Sequence, residues 1–448
     1  MIEVHKDAKA NFDAKGESLI SLIEELPQKG QRENKVSSEF HVKQHLTNED
    51  IIEFHPSAIA NGYGDEIGFY FFHERKQYGI INENYKTILK LVESISKQRD
   101  FSAKVSQETI KKVIFDWIKR RCMGVMNQDL TSFIIEQASA KISIKEVWLP
   151  IKFLQIEETF VVGRICFKTI SKKMVEDLQA QCIKDLPEKE DSFREMFERH
   201  IRKFQGYAAA TLLIEAEPNR ANEICLEETR KALLLLRIFH PASFHPKVTT
   251  SYNIWGSELS DRAIVLLLEE GKFHSLNDRR LGKSSGIERI DKETVKVAME
   301  AGLKILSDLL AVSKTLTPFQ KTFLDAIFIY ARSATAKDPA DKLVYILVAL
   351  ESLFLRNNTE PIQQNLAERM AFLIEGTIES RRKLIKDVRD VYSIRSSFVH
   401  HGATIDDFET LGRFMWHAWR AITSMIPATI TISTKDEFLD QLDNRKLA

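Results

Sequence analysis

The sequence predicts an α+β protein, with a mixed α/β region at the N-terminus followed by an all-α helical bundle. Up to about residue 285, strand-like runs such as IGFYFF alternate with helical segments. From about residue 292 onward, apolar residues recur every three or four positions. The segment between them, NDRRLGKSSGIERID (277–291), is polar and rich in Gly and Ser, which is typical of a linker.

The composition is that of a globular protein with no overall charge. The chain has 448 residues, of which 44% are hydrophobic and 29% charged, and Lys+Arg and Asp+Glu both number 64. A chain of this length suggests about two to four domains. Because the charges balance, a nucleic-acid surface would have to be a local patch.

The cysteines and the apolar runs indicate a soluble, cytoplasmic protein that does not enter a membrane. None of the four cysteines forms a CxxC pair or a Cys/His group with zinc spacing, so we expect reduced thiols and no metal. They are Cys122, Cys166, Cys182 and Cys225. The N-terminus has no apolar signal-peptide core, and runs such as ALLLLRIF are too short to span a bilayer.

The first half of the N-terminal region predicts strands followed by helices. Residues 1–40 are polar, and we expect a loosely ordered arm or the opening strands and turns of a domain. Residues 39–79 indicate strands and a turn, and residues 83–142 carry the apolar spacing of helices. The predicted domain covers 1–285 and could divide into two subdomains near residue 145.

The second half of this region returns to strands. EVWLPIKFLQIEETFVVGRICFKTI (146–170) is rich in β-branched and aromatic residues, whereas 172–203 is charged and mostly helical. YAAATLLIEAE is a plausible buried strand, and Pro218 stands near the start of the amphipathic helix that follows.

The C-terminal domain, 292–448, is predicted to be helical. Its helices are expected at about 292–314, 317–335, 339–356, 362–376, 378–401 and 405–426. Thr317-Pro318 and Asp338-Pro339 are start signals, and Gly376 and Gly402 are stop signals. A short apolar piece, ATITI, and a charged tail close the chain.

The segment YSIRSSFVHHG (392–402) places Arg395 five residues before His400. This spacing alone is weak evidence, because the general Arg-x4–6-His pattern also occurs at Arg194 and His200 within a charged helix. Arg395 could simply pair with an acid such as Asp390, and the histidines could occupy a helix C-terminus, where cations are favoured.

The ordered set of motifs around this segment resembles the Apea-like HEPN family of small helical domains. The matching elements are the ALESL helix with Glu351, the ERMAFLI helix with Arg369, and Tyr392 three residues before Arg395. The Arg395-Ser396 pair and the Val399-His400 pair ahead of Gly402 complete the set. The resemblance covers roughly residues 300–426. More loosely, the region before it resembles the variable N-terminal half that accompanies such domains.

The resemblance implies a ribonuclease that works without a metal or cofactor. In catalytic HEPN domains the arginine and histidine promote attack of the RNA 2′-hydroxyl on the adjacent phosphate. Arg395 and His400 would be the catalytic pair. His401 is a second candidate, and Ser396 stands where other HEPN motifs often carry Asn, Asp or His. Histidine titrates near neutral pH, and the planar arginine fork matches phosphate oxygens.

Glu351, Arg369 and Tyr392 are the expected supporting residues. Glu351 is a single acid in an apolar helix, and a buried carboxylate needs a partner, so we expect it to pair with Arg369 or Arg395. Five helical positions turn a side chain by about 140°, so Arg395 and His400 do not share a face. Similar domains dimerise so that pairs from two chains line one cleft.

The function that the resemblance implies is an endoribonuclease effector of anti-phage defence (abortive infection). The expected partners are RNA, such as tRNA or mRNA, a second copy of the chain, and a phage-derived trigger at the N-terminal region. The alternative is a non-catalytic HEPN scaffold that dimerises and binds RNA or protein. The sequence has no GxxxxGK[ST], GxGxxG, HExxH or GxSxG motif, which argues against nucleotide, nicotinamide and zinc chemistry.

Overall fold

The computed structural model describes most of the chain, and it confirms the α+β fold class. After the strand Glu288–Ile290, every described element is a helix. The described residues are 2–26, 58–60, 65–256, 262–269, 272–280, 286–312, 315–357, 359–401 and 404–447. The chain divides into two compact units, Met1–Glu146 with Leu213–Ile224, and Val147–Leu212 with Cys225–Ala448.

The first unit combines a four-stranded antiparallel sheet with helices. The strands are β1 (Glu24–Leu26), β2 (Ala58–Ala60), β3 (Glu66–His73) and β4 (Lys76–Ile81), in the order β1-β4-β3-β2. The helices are α1 (Lys6–Ile20), α2 (Asn82–Ser96), α3 (Arg99–Lys104), α4 (Gln107–Cys122) and α5 (Leu130–Ser139). Phe69 of β3 stacks on Phe115 of α4 with ring centroids 4.2 Å apart, so sheet and helix share one core.

Two predictions for this unit need comment. The polar opening segment, 1–40, was expected as an arm or as strands and turns. The strand β1 is present, but residues Lys6–Ile20 form α1, because Phe12 and Leu19 turn inward and are buried, and residues 27–40 lie outside the described residues. The strands expected over 39–79 are present at β2, β3 and the start of β4, while residues 39–57 and 61–64 of that prediction, including the first four residues of the expected NGYGD turn, lie outside the described residues.

The second unit holds most of a five-stranded sheet of order β10-β5-β9-β8-β7. The chain supplies β5 (Ser143–Lys152), β6 (Leu154–Ile156), β7 (Phe160–Val162), β8 (Ile165–Thr169), β9 (Ala208–Ala216), β10 (Asn253–Ile254), β11 (Arg262–Glu269), β12 (Lys272–Arg280) and β13 (Glu288–Ile290). Helices α6 (Lys172–Asp185), α7 (Glu190–Phe204) and α8 (Pro218–Ile238) lie between strands in the chain. The linker prediction over 277–291 is wrong at both ends, because 277–280 belong to β12 and β13 pairs with β6.

The helical region contains nine α-helices among the described residues. They are α9 (Lys292–Ala298), α10 (Lys304–Ala311), α11 (Pro318–Arg332), α12 (Pro339–Phe354), α13 (Ile362–Ile374), α14 (Ile378–His401), α15 (Phe408–Met425), α16 (Ala428–Thr431) and α17 (Lys435–Leu447). The single helix predicted over 292–314 is interrupted at Gly302, whose φ of +120° suits only glycine. A Cβ there would also lie 2.8 Å from Ile426 Cδ1.

The charged tail predicted at the end of the chain is in fact helix α17. Phe438, Leu439 and Leu442 of this helix are buried, and the Phe438 ring lies 5.4 Å from that of Phe319. The polar residues between them face outward, which hides the apolar stripe in the sequence. Among the described helices, none has the length and the apolar content needed to cross a membrane.

Candidate functional site

Helix α14 carries Arg395 on the continuation of its buried face. Leu384, Val388 and Val391 are fully buried and are spaced by four and three positions, which places them on one stripe of the helix. Arg395 takes the next position on this stripe, four residues after Val391, yet its side chain is exposed. The last turns of α14 therefore extend beyond the part of the helix that is packed against the core.

Tyr392, one turn earlier, ties α14 to α12. The Tyr392 hydroxyl donates a hydrogen bond of 2.8 Å to Glu351 Oε1, in the last turn of α12. Burial raises the pKa of Tyr392, the Glu351 carboxylate raises it further, and the positive charge of Arg395 opposes the shift. The predicted pairing of Glu351 with Arg369 or Arg395 is thus wrong, because its described partner is Tyr392.

The Arg395 guanidinium makes no hydrogen bond or ion pair with any described residue, Asp390 and Glu351 included. Ser396 is exposed beside it. The backbone of His400 and His401 forms the last turn of α14, and their side chains lie outside the described residues. The catalytic assignment of Arg395 and His400 stays a prediction, with Arg395 placed at an open helix surface.

Arg369 lies elsewhere and holds the end of the chain. Its side chain is only 4% exposed, and all five of its N–H groups are used. Two bind Glu360 at 2.9 and 3.0 Å, two bind Asp443 of α17 at 2.9 and 3.0 Å, and one binds the Phe354 carbonyl at 2.6 Å. We call this group, Arg369 with Glu360 and Asp443, the α17 clamp.

The charges of the α17 clamp stabilise each other. Burial disfavours the Arg369 cation, but its bonds to Glu360 and Asp443 outweigh this effect and raise its pKa. Hydrogen bonding to Arg369 lowers the pKa of both carboxyls. Arg356 adds a second cation, 3.1 Å from Asp443. No local pattern could reveal the clamp, because Arg369 and Asp443 are 74 positions apart.

A polar network that the sequence interpretation missed joins α13, α14 and α15. His417 of α15 lies with Nε2 3.4 Å from Asp387 Oδ2 and Nδ1 3.9 Å from Glu375 Oε1. Arg413 binds Asp387 at 3.1 Å, and Arg420 binds Glu375 at 2.6 Å. The spacing of Arg413, His417 and Arg420 by four and three positions was the signal available in the sequence.

Burial dominates the protonation of this network. Desolvation lowers the pKa of His417, although the carboxylates of Asp387 and Glu375 oppose the shift. Asp387 Oδ2 and His417 Nδ1 are buried and form no hydrogen bond with a described residue. The network fixes the first half of α14 against α15, about one and a half turns before Tyr392.

In the part of the chain that the structure describes, no three His, Cys, Asp or Glu side chains form a group that could hold a metal ion. Comparisons with protein-family models, with curated proteins and with solved structures give no match to this chain. The resemblance to HEPN domains therefore rests on the residues of α12 to α15 alone.

Proposed function

We propose that this chain is a metal-independent endoribonuclease of the HEPN type, with Arg395 and His400 as its catalytic residues. The observation that carries the proposal is the exposed Arg395 guanidinium. It occupies a position on the core-facing stripe of α14 and is free of any described partner. Five positions separate it from His400, and the hydrogen bond between Tyr392 and Glu351 supports the turn of α14 just before Arg395.

The reaction needs one group that moves a proton and one that offsets charge. The imidazole of His400 accepts the proton of the RNA 2′-hydroxyl, and the 2′-oxygen attacks the adjacent phosphorus. The bond from phosphorus to the 5′-oxygen breaks, and the leaving oxygen takes up a proton. The products are a 2′,3′-cyclic phosphate and a 5′-hydroxyl. Arg395 offsets the negative charge that develops on the phosphate oxygens.

A homodimer is part of the proposal. Arg395 and His400 point about 140° apart around α14, so one copy of the helix does not aim both at a single phosphate. Two copies related by a two-fold axis can place the arginine of one beside the histidine of the other. The uncovered end of α14 is the surface through which we expect this contact.

The biological role follows from the family resemblance. The protein would act in the cytoplasm as an effector of anti-phage defence, cutting tRNA or mRNA and so aborting infection. The N-terminal region would sense a phage product or hold the nuclease inactive until infection.

The test is cleavage of total RNA and tRNA by the purified chain in EDTA, with the product ends mapped. Arg395→Ala and His400→Ala are compared with Arg194→Ala and His200→Ala, a matched control because this pair has similar spacing on α7 and is exposed. We expect cleavage in the chelator, cyclic phosphate ends, and loss of activity only in the first two variants.

Equal cleavage by all four variants would refute the catalytic assignment. If purified protein does not cut, the same variants are expressed during phage challenge. Equal growth with wild type and His400→Ala would then favour the non-catalytic scaffold.

A further inference from the structure

The exposed face of α14 carries a row of cations. Arg382, Lys386 and Arg389 are spaced by four and three positions, so they stand above one another on the side of the helix opposite Leu384 and Val388. All three side chains are exposed, and none has a hydrogen bond or ion pair with a described residue. We call these three residues the α14 cation row.

The charges around the row leave it positive. Lys383 is exposed beside it, and the acids on the same helix are Glu379, Asp387 and Asp390, of which Asp387 is buried and bound to Arg413. Burial raises the pKa of Glu368 of α13, but its bond to Lys446 at 2.6 Å and, to a smaller extent, the charge of Arg389 lower it, so this nearby carboxylate already has a cation as its partner. Glu379 stands three positions before Arg382 and Asp390 four positions after Lys386, which is helical spacing, but neither acid forms an ion pair with a described residue of the row. Four cations, the row and Lys383, therefore face two acids, and the surface keeps an excess of positive charge.

The row leads along the helix toward the position of His400. Its register continues through the exposed residues Ser393 and Ser396 to position 400, which stands eleven positions after Arg389, whereas position 395 lies on the opposite side of the helix. At 1.5 Å per residue, positions 382 and 400 are about 27 Å apart along the axis. The row thus has the length of several nucleotides and leads to the helix position of the proposed proton-transfer residue.

We propose that the α14 cation row binds the backbone of single-stranded RNA and directs it to His400. The substrate class rests on the proposed ribonuclease function, because attack by a 2′-hydroxyl requires a strand free to adopt an in-line geometry. Regularly spaced guanidinium and ammonium groups suit successive phosphates. The row holds no aromatic side chain for base stacking, so binding is independent of base sequence. A membrane surface does not fit, because the apolar face of α14 is already buried.

The salt dependence of binding gives the expected magnitude. For single strands, each phosphate contact contributes about −0.7 to the slope of log K against log salt. Three contacts contribute about −2, so raising salt from 50 to 200 mM weakens this part of the binding about 20-fold. Replacing all three cations by glutamine should remove about two units of slope.

The experiment measures anisotropy of a labelled 2′-O-methyl uridine dodecamer, which lacks the attacking hydroxyl and stays uncut. The triple variant Arg382→Gln, Lys386→Gln, Arg389→Gln is compared with wild type at four salt concentrations. The matched control carries glutamine at three exposed, unpaired lysines of the second unit. These are Lys173, Lys184 and Lys189. Circular dichroism checks that both variants fold.

We expect the row variant to lose about two units of slope and at least ~10-fold in affinity at 50 mM salt, and the control to bind like wild type. An adenosine dodecamer should bind equally well. Equal loss in row and control variants, or tighter binding of the duplexed dodecamer, would overturn the proposal. Absence of binding by wild type at 50 mM salt would overturn it as well.

The outcomes separate this inference from the proposed function. If the row variant binds like wild type while His400→Ala abolishes cleavage, the nuclease stands and the row proposal fails. If the row variant loses binding while His400→Ala still cuts, the row binds RNA and the catalytic assignment fails.

Discussion

Substituting Arg369 by alanine tests whether this residue belongs to the α17 clamp or to the active site. The change removes all five hydrogen bonds of a side chain that is 4% exposed. Glu360 and Asp443 then lose the cation that neutralises them. We expect helix α17 to loosen, while the exposed surface around Arg395 stays intact.

The magnitude follows from the burial of the three groups. Removing one partner of a buried ion pair typically costs about 3–5 kcal/mol. Glu360 and Asp443 are 16% and 33% exposed, so each keeps some contact with water, and Arg356 remains close to both. The lower end of the range applies, and we expect the free energy that holds α17 in place to fall by about 3 kcal/mol.

Hydrogen–deuterium exchange of Lys435–Leu447 measures this loss directly. A loss of about 3 kcal/mol corresponds to roughly 100-fold faster exchange of its protected amides. Arg332→Ala, which removes an exposed arginine of α11, is the control and should leave α17 unchanged. If Arg369→Ala leaves the amide exchange of α17 unchanged but loses RNA cleavage, the clamp is refuted and Arg369 is assigned to the active site.

Acid should weaken the clamp in the wild type. The folded-state pKa values of Glu360 and Asp443 lie below their ordinary values. Their contribution is therefore present above about pH 4 and is lost as the pH falls through the folded values. The exchange rate of α17, corrected for intrinsic chemistry, should rise on acidification in wild type and much less in Arg369→Ala.

Three further predictions follow from single contacts. Tyr392→Phe leaves the half-buried Glu351 carboxylate without its described partner and should cost about 1–3 kcal/mol in chemical denaturation; an unchanged midpoint would contradict this. Lys342 is fully buried with backbone carbonyls as its partners, and burial lowers its pKa to about 8. Between pH 8 and 10.5 the lysine holds a proton in the unfolded chain but not in the folded one, so the free energy of unfolding of the wild type should rise with pH by up to about 3 kcal/mol. Denaturation of Lys342→Met, measured over the same pH range, should not show this rise. Mixing inactive Arg395→Ala chains with inactive His400→Ala chains should restore RNA cleavage. Roughly half of the exchanged dimers are then heterodimers, which hold one cleft with both an intact arginine and an intact histidine. No recovery despite confirmed subunit exchange would mean that the two residues of one site do not come from different chains.

Helix α14 shows how accurately a helix can be predicted from one sequence. Its predicted span, 378–401, is confirmed, because Gly376 and Gly402 flank a long run with regular apolar spacing. Helices α11, α12, α13 and α15 agree with their predictions to within about three residues at each end. Strong periodicity and clear start signals explain this agreement, as at the Thr317 capping box of α11.

The elements that sequence interpretation missed depend on distant partners. In α17 the apolar residues Phe438, Leu439 and Leu442 are few among charges, and the charges matter through Arg369. Segment 277–280 is polar enough to suggest a linker, yet it pairs with β11 residues about 15 positions earlier. Local composition cannot show either pairing, because each depends on contacts across the fold.

The placement of Arg395 combines both kinds of information. The spacing from Leu384 through Val391 predicts that position 395 continues a core-facing stripe, where an unpaired cation would be costly. Only the structure shows that packing of this stripe ends before Arg395, which leaves the guanidinium exposed. A charge on a core-facing register makes sense where a ligand or a second chain covers it. The proposed phosphate contact and the proposed dimer are therefore two consequences of the same open helix end, and the mixing experiment tests them together.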